Sequence, residues 1–113
     1  MGRRDVIFDS LDLTDAAQTS RAVKVMDYIT KLIFVNCTDA ADNMQFRVLG
    51  YFDGRDTTNS IRVILGWTFL DFGDTAIVKN TDPYDTIVVE AKNASAGNNS
   101  AVKAWLNCSG YDR

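Results

Sequence analysis

The side chains that could do chemistry in this sequence are almost all oxygens. Asp53-Gly54-Arg55-Asp56-Thr57-Thr58-Asn59 is the densest run of them, and Asp39, Asp42 and Asn43 form a smaller group. Calcium takes about six to eight oxygen ligands, and the first run offers about half that number. The EF-hand spacing is missing, so a hairpin turn capped by aspartates is the favoured reading of both groups. Paired carboxylates would suit glycoside hydrolysis. No such pair stands in a motif, and Glu90, the sole glutamate, falls on the outward side of a strand. Histidine is absent altogether, which removes the usual general base and the commonest zinc ligand. No catalytic residue, metal ligand or cofactor site is assigned, and the chain is not read as an enzyme.

Cys37 and Cys108 are the only thiols, too few for a zinc site without histidine. Each closes an apolar, strand-like run, in Asn36-Cys37-Thr38 and Asn107-Cys108-Ser109. If successive strands alternate in direction, the two lie at opposite ends of the fold, beyond the roughly 7 Å Cα separation a disulfide tolerates. Two buried, reduced cysteines are expected.

Aromatic residues are the better functional clue. Trp105 has the opposite parity to Val102, Ala104 and Leu106, and Tyr51 the opposite parity to Met44, Phe46 and Val48. Both therefore point away from a core, where they could stack on sugar rings or be covered by another chain. Trp67 shares the parity of Val63, Leu65 and Phe69 and is assigned to the core. Arg3 and Arg4 make a basic tip on a protein of net charge −3, in a short N-terminal arm covering about residues 1–5. That charge lacks the basic footprint of a non-specific nucleic-acid binder.

The elements that must position these residues read as strands. The chain has 113 residues, 46% of them hydrophobic, which suits a single domain over 1–113 with a core of its own. Asp, Asn and Thr favour turns, and Val, Ile, Phe and Tyr fill the segments between them. Period-two alternation marks eight strands, over 6–13, 20–25, 29–37, 44–52, 61–72, 75–79, 86–92 and 101–108. Lys31 is the exception on the inward side of the third, and Gly66 marks a bulge in the fifth. No strand–helix–strand unit appears. The fold class is all-β, a single antiparallel β-sandwich of about eight strands, jelly-roll or Greek-key. No apolar run is long enough to span a bilayer, and no export signal follows Met1-Gly2-Arg3-Arg4-Asp5, so no membrane partner is expected.

Three segments carry a family likeness: Asp27-Tyr28-Ile29-Thr30-Lys31-Leu32-Ile33-Phe34-Val35-Asn36-Cys37-Thr38, then Asp82-Pro83-Tyr84-Asp85-Thr86-Ile87-Val88-Val89-Glu90-Ala91-Lys92-Asn93, then Val102-Lys103-Ala104-Trp105-Leu106-Asn107. The pattern, a Tyr-Asp-x-Ile-x-Val strand before a closing Val-x-Ala-Trp strand, resembles small β-sandwich proteins of tailed viruses. It is most similar to the capsid decoration (cement) and head-fibre group, over about residues 27–107. The resemblance implies a non-catalytic virion protein, assembled in the host cytoplasm, that binds the outside of a built capsid. Its partner would be the major capsid protein, and it would often act as a homo-oligomer, with a trimer favoured. No nucleic acid and no cofactor is implied. The contact expected is the N-terminal segment Arg3 to Phe8, with Arg3, Arg4 and Phe8 singled out, together with Tyr51 and Trp105 of the outward faces.

Two other readings compete. A carbohydrate-binding module would use Tyr51, Trp105 or Tyr84 as a sugar platform. A self-assembling extracellular filament subunit would give meaning to the sequons at Asn36, Asn93, Asn98 and Asn107.

Overall fold

Period-two alternation of β-branched and aromatic residues becomes strand along most of the chain. The computed structural model describes residues 3–38, 42–52 and 61–111. Among the described residues nine strands follow in order: β1 (Arg3–Asp12), β2 (Gln18–Thr19), β3 (Val23–Lys24), β4 (Tyr28–Cys37), β5 (Met44–Tyr51), β6 (Ile61–Leu70), β7 (Thr75–Asn80), β8 (Thr86–Asn93) and β9 (Ala101–Tyr111). One sheet has the order β1-β9-β4-β7; the other has β2-β8-β5-β6, with β3 also pairing β8. Every pairing is antiparallel. Among the described strands, β5 and β6 are consecutive in sequence and adjacent in one sheet, and β2 and β3 both lie on β8; every other consecutive pair belongs to different sheets.

The core lies between the two inner faces. Ile33, Val35 and Cys37 of β4 and Val102, Ala104, Leu106 and Cys108 of β9 meet Phe46 and Val48 of β5 and Ile87, Val89 and Ala91 of β8. These are the inward positions that alternation marks, so the all-β sandwich is as expected. Gly50 is there for space rather than for backbone freedom. A Cβ on it would stand 2.5 Å from Cδ1 of Tyr84, whose ring covers that end of β5.

Several boundaries differ from the sequence reading. The expected strand over 20–25 is broken, giving nine strands instead of eight. Ser20 interrupts it by exchanging bonds with Val89: its N–H donates to the Val89 carbonyl at 2.8 Å, and its Oγ accepts from the Val89 N–H at 3.0 Å. The first strand begins at Arg3, so Arg3, Arg4 and Asp5 are not a free arm. They pair with Cys108, Asn107 and Leu106 of β9. A run of three charged residues hid this stretch, because an edge strand needs no apolar outer residue to hold its ladder.

β6 is largely inside out relative to expectation. Val63 and Phe69, assigned to the core, are 60% and 65% exposed. The pairing with β5 slips twice, between Phe46 and Val48 and between Val48 and Leu49. Each extra residue reverses the side-chain parity that follows it. Leu65 therefore stays opposite Val48 and packs on the core with Ile64, while Trp67 turns out. The first slip spans Gly66, where a bulge was expected. Ile29, at the start of β4, is also exposed, although its parity points inward.

Candidate interaction surface

The outer face of the β1-β9-β4-β7 sheet carries an apolar row that runs across all four strands. Val6 of β1 is in register with Trp105 of β9, Trp105 with Phe34 of β4, and Phe34 with Ile77 of β7. The Phe34 and Trp105 rings stack with centroids 5.2 Å apart and planes 8° from parallel. Val6 and Ile77, at the two ends, are 51% and 63% exposed. Single apolar residues on a surface are ordinary, but four in one cross-strand row make a contiguous patch.

Cations frame the row. The Arg4 guanidinium lies 5.4 Å from the centre of the Trp105 ring, in cation–π range. Lys79, opposite Leu32, and Lys103, opposite Asn36, stand exposed on the same face. Asp12, in register with Ala101, is the acid at the far end of β1. In a protein of net charge −3, this face is locally basic around an apolar stripe.

The five expected contact residues separate into two groups. Arg4 and Trp105 meet in the patch. Arg3 is tied within the molecule: its Nε donates to Asp5 Oδ2 at 2.7 Å, another nitrogen donates to the Lys24 carbonyl, and its guanidinium lies over the Tyr28 ring at 5.2 Å. Phe8 is a core residue, because the slip between Val6 and Phe8 turns Ile7 and Phe8 both inward. Tyr51 keeps its outward parity but is only 8% exposed, so it offers no open ring. Val6 lies within the expected contact segment Arg3 to Phe8, whereas Phe34 and Ile77 escaped the sequence reading. Phe34 was legible from the alternation of β4, being opposite in parity to Ile33 and Val35.

Of the three rings offered as a sugar platform, Tyr51 and Tyr84 are buried and Trp105 alone faces outward. Tyr84 is buried over Gly50 and stacks on Phe52 with centroids 4.7 Å apart. The outer face of the other sheet shows Trp67 instead, with the Arg47 guanidinium at 4.9 Å and the Lys92 ammonium at 4.5 Å from its ring centre. Arg47 is also paired with Glu90 at 2.5 Å, and Glu90 accepts from Thr19 at 2.9 Å. Trp67 is thus committed to holding β5, β6 and β8 together across their outer face.

The acidic groups are mostly structural where they are described. Asp42 accepts from the Asn99 N–H at 2.7 Å, and Asn43 accepts from the Phe72 N–H at 2.9 Å, which staples the loops at one end of the sandwich. Asp39 and the whole Asp53-to-Asn59 run lie outside the described residues. Both cysteines are buried and free. Cys108 faces Lys31, six residues along β4 from Cys37, which sets the thiols about 20 Å apart at the usual strand rise.

No family model and no curated protein sequence matches the chain. Solved structures do resemble it in fold. A Bacillus endospore appendage, of a family described as disulfide-linked pili, aligns with TM-score 0.51 and 10% identity over 95% of this chain and 86% of that one. A structure of the infectious bursal disease virus Gx strain aligns with TM-score 0.56 and 11% identity, over 96% of this chain and 32% of the viral one. Tripeptidyl peptidase 2 aligns with TM-score 0.61 and 11% identity, over 88% of this chain and 9% of the peptidase. At such identities the likeness is one of fold. Function rests on the sites a fold carries.

Proposed function

We propose that the protein is a non-catalytic structural subunit that docks by the outer face of its β1-β9-β4-β7 sheet on the surface of an assembled viral capsid. The observation that carries this reading is the Val6–Trp105–Phe34–Ile77 row with Arg4, Lys79 and Lys103 around it. A half-buried aromatic pair on an outer face beside an arginine is the composition of a protein–protein hot spot. The cations select a partner surface that is acidic around an apolar recess. Two further points support the reading. The strand order β1-β9-β4-β7 over β2/β3-β8-β5-β6 is that of a jelly roll whose second strand is split, an architecture used in viral capsid domains. A viral structure is also among the fold neighbours. The partner in this reading is the major capsid protein, the site of action is the virion surface, and a trimer places three such faces around a symmetry axis.

A filament subunit is the second reading, favoured by one specific observation. The endospore appendage match spans nearly the whole of both chains, so a single sandwich of this size is the complete match there. Light scattering with negative-stain images separates the two. A small closed oligomer that co-sediments with expanded capsids supports decoration; fibres from the purified chain alone support the filament and overturn decoration.

A further inference from the structure

β7 is an open edge: among the described residues it pairs with β4 alone. One bond decides which of its main-chain groups are open. The Cys37 N–H donates to the Asp74 carbonyl at 3.1 Å, just beyond the opposed pair Asn36 and Thr75. Asn36 and Thr75 are therefore a non-hydrogen-bonded pair, and the antiparallel ladder alternates from there. Ala76, Val78 and Asn80 turn their N–H and C=O groups to β4, while Thr75, Ile77 and Lys79 turn theirs outward.

The other long edges are blunted. β1 slips twice in register, holds Ser10 at φ 52°, and has the Arg21 guanidinium donating to the Val6 carbonyl at 3.3 Å. β6 slips twice against β5. Bulges and edge charges are the usual guards against strand addition. β7 is in unbroken register with β4 over Thr75–Asn80, and Lys79 is its one charged residue.

We propose that β7 pairs antiparallel with β7 of a second copy of this chain, around a two-fold axis at Ile77. With Ile77 opposite Ile77 of the second copy, Thr75 meets Lys79, and every outward N–H and C=O of both strands is bonded. A shift of two residues leaves Thr75 or Lys79 without a strand partner, and a shift of one sets outer side chains against inner ones. The side chains agree with this register on both faces. Outside, Ile77 is 63% exposed and ends the Val6–Trp105–Phe34–Ile77 row, so the axis continues that row into the second copy. Inside, Ala76 and Val78 are only partly buried against the core, and across the axis each covers the other. Lys79 faces a threonine, so no like charges are opposed. The contact does not depend on capsid docking. It joins two trimers where a three-fold exists elsewhere on the molecule, and two single chains where none does.

Light scattering of the full chain alone, with no capsid present, tests this. The expected species holds an even number of chains; a monomer at every concentration, or a lone trimer, overturns the proposal. I77K opposes like charges at the axis, as does I77E, and each is expected to raise the dissociation constant at least about tenfold. An equal mixture of the two variants should associate again. Undiminished association of either variant alone, or no recovery on mixing, overturns the two-fold. The register has its own check, because hydrogen-bonded opposed residues have Cα atoms about 5.5 Å apart, within disulfide range. On oxidation I77C should link two chains, whereas T75C, opposite Lys79, should not; the reverse pattern overturns the axis at Ile77.

Discussion

Phe34 of β4 and Trp105 of β9 face each other in register and stack 5.2 Å apart on the outside of the sandwich, with Arg4 set over the tryptophan. Stacking of this kind contributes about 0.5–1.5 kcal/mol beyond area burial, so W105A and F34A should each leave a folded protein. Binding is a different matter, because a truncated anchor at an interface costs about 2 kcal/mol or more. Each variant is expected to weaken capsid binding, or self-association in the filament reading, by at least about tenfold, which corresponds to about 1.4 kcal/mol. Urea melts and co-sedimentation on the same preparations check this. Binding that survives both substitutions would remove this face as the docking surface.

R4E tests the electrostatic half of the same surface. Arg4 is exposed, and its removal from the Trp105 ring should change stability by less than about 1 kcal/mol. Reversing its charge places an acid against a partner expected to be acidic. The association rate should fall and lose much of its salt dependence, as rim charges act mainly on encounter. Stopped-flow or surface-binding kinetics at two ionic strengths give the answer.

How far the sequence foretold these residues depends on the regularity of each strand. β4, β8 and β9 run unbulged through the middle of their sheets, so period two in the sequence became inside and outside in the fold. Trp105 was read correctly for that reason, and Phe34 could have been. β1 and β6 slip in register, and there the same arithmetic failed: Phe8 went inward, while Val63, Trp67 and Phe69 went outward. Tyr51 failed differently. Its parity held, but it is buried, and no period in one strand reports what covers its outer face. The row itself, from Val6 to Ile77, exists only because β9 and β4 lie between β1 and β7. That order is a matter of tertiary pairing and is not written in any one segment.

Gly50 is set by contact with Tyr84, and G50A tests that contact. An alanine Cβ would enter the Tyr84 ring, which is itself stacked on Phe52. Overpacking of this kind costs about 1–3 kcal/mol. G50A should lower the urea midpoint accordingly, and the double variant G50A/Y84A should show coupling, because the second change removes the obstruction of the first. Strict additivity would mean that the ring moves aside without strain.

Asn93 ties two loops of one end of the sandwich together. Its Nδ2 donates to Asp15 Oδ1 at 3.0 Å and to the Asn98 carbonyl at 2.7 Å, and its Oδ1 accepts from Ser100 Oγ. The residue is 5% exposed, so N93A strands buried partners and is expected to cost about 1–3 kcal/mol. Hydrogen exchange should show faster opening near residues 14–16 and 97–100, with β4 protected as before. A uniform loss of protection would place Asn93 in the global core instead of in a local staple.

The two thiols give the protein an alkaline limit. Burial raises the pKa of Cys37 and of Cys108 above the ordinary 9.0, and at Cys37 the nearby Asp71 and Asp74 act in the same direction. Above pH about 9 the unfolded chain loses both protons while the folded chain keeps them. The unfolded state then binds fewer protons, so stability falls as pH rises; below that pH the full stability is present. C37A should flatten part of that decline relative to wild type between pH 8 and 10.5, roughly the range in which thiols titrate, in urea melts at fixed salt. The same burial predicts that both thiols react slowly with a disulfide reagent in the native protein and rapidly once it is unfolded. A fast native reaction at either cysteine would show that its end of the sandwich opens to solvent, and the alkaline slope would then be absent for that thiol.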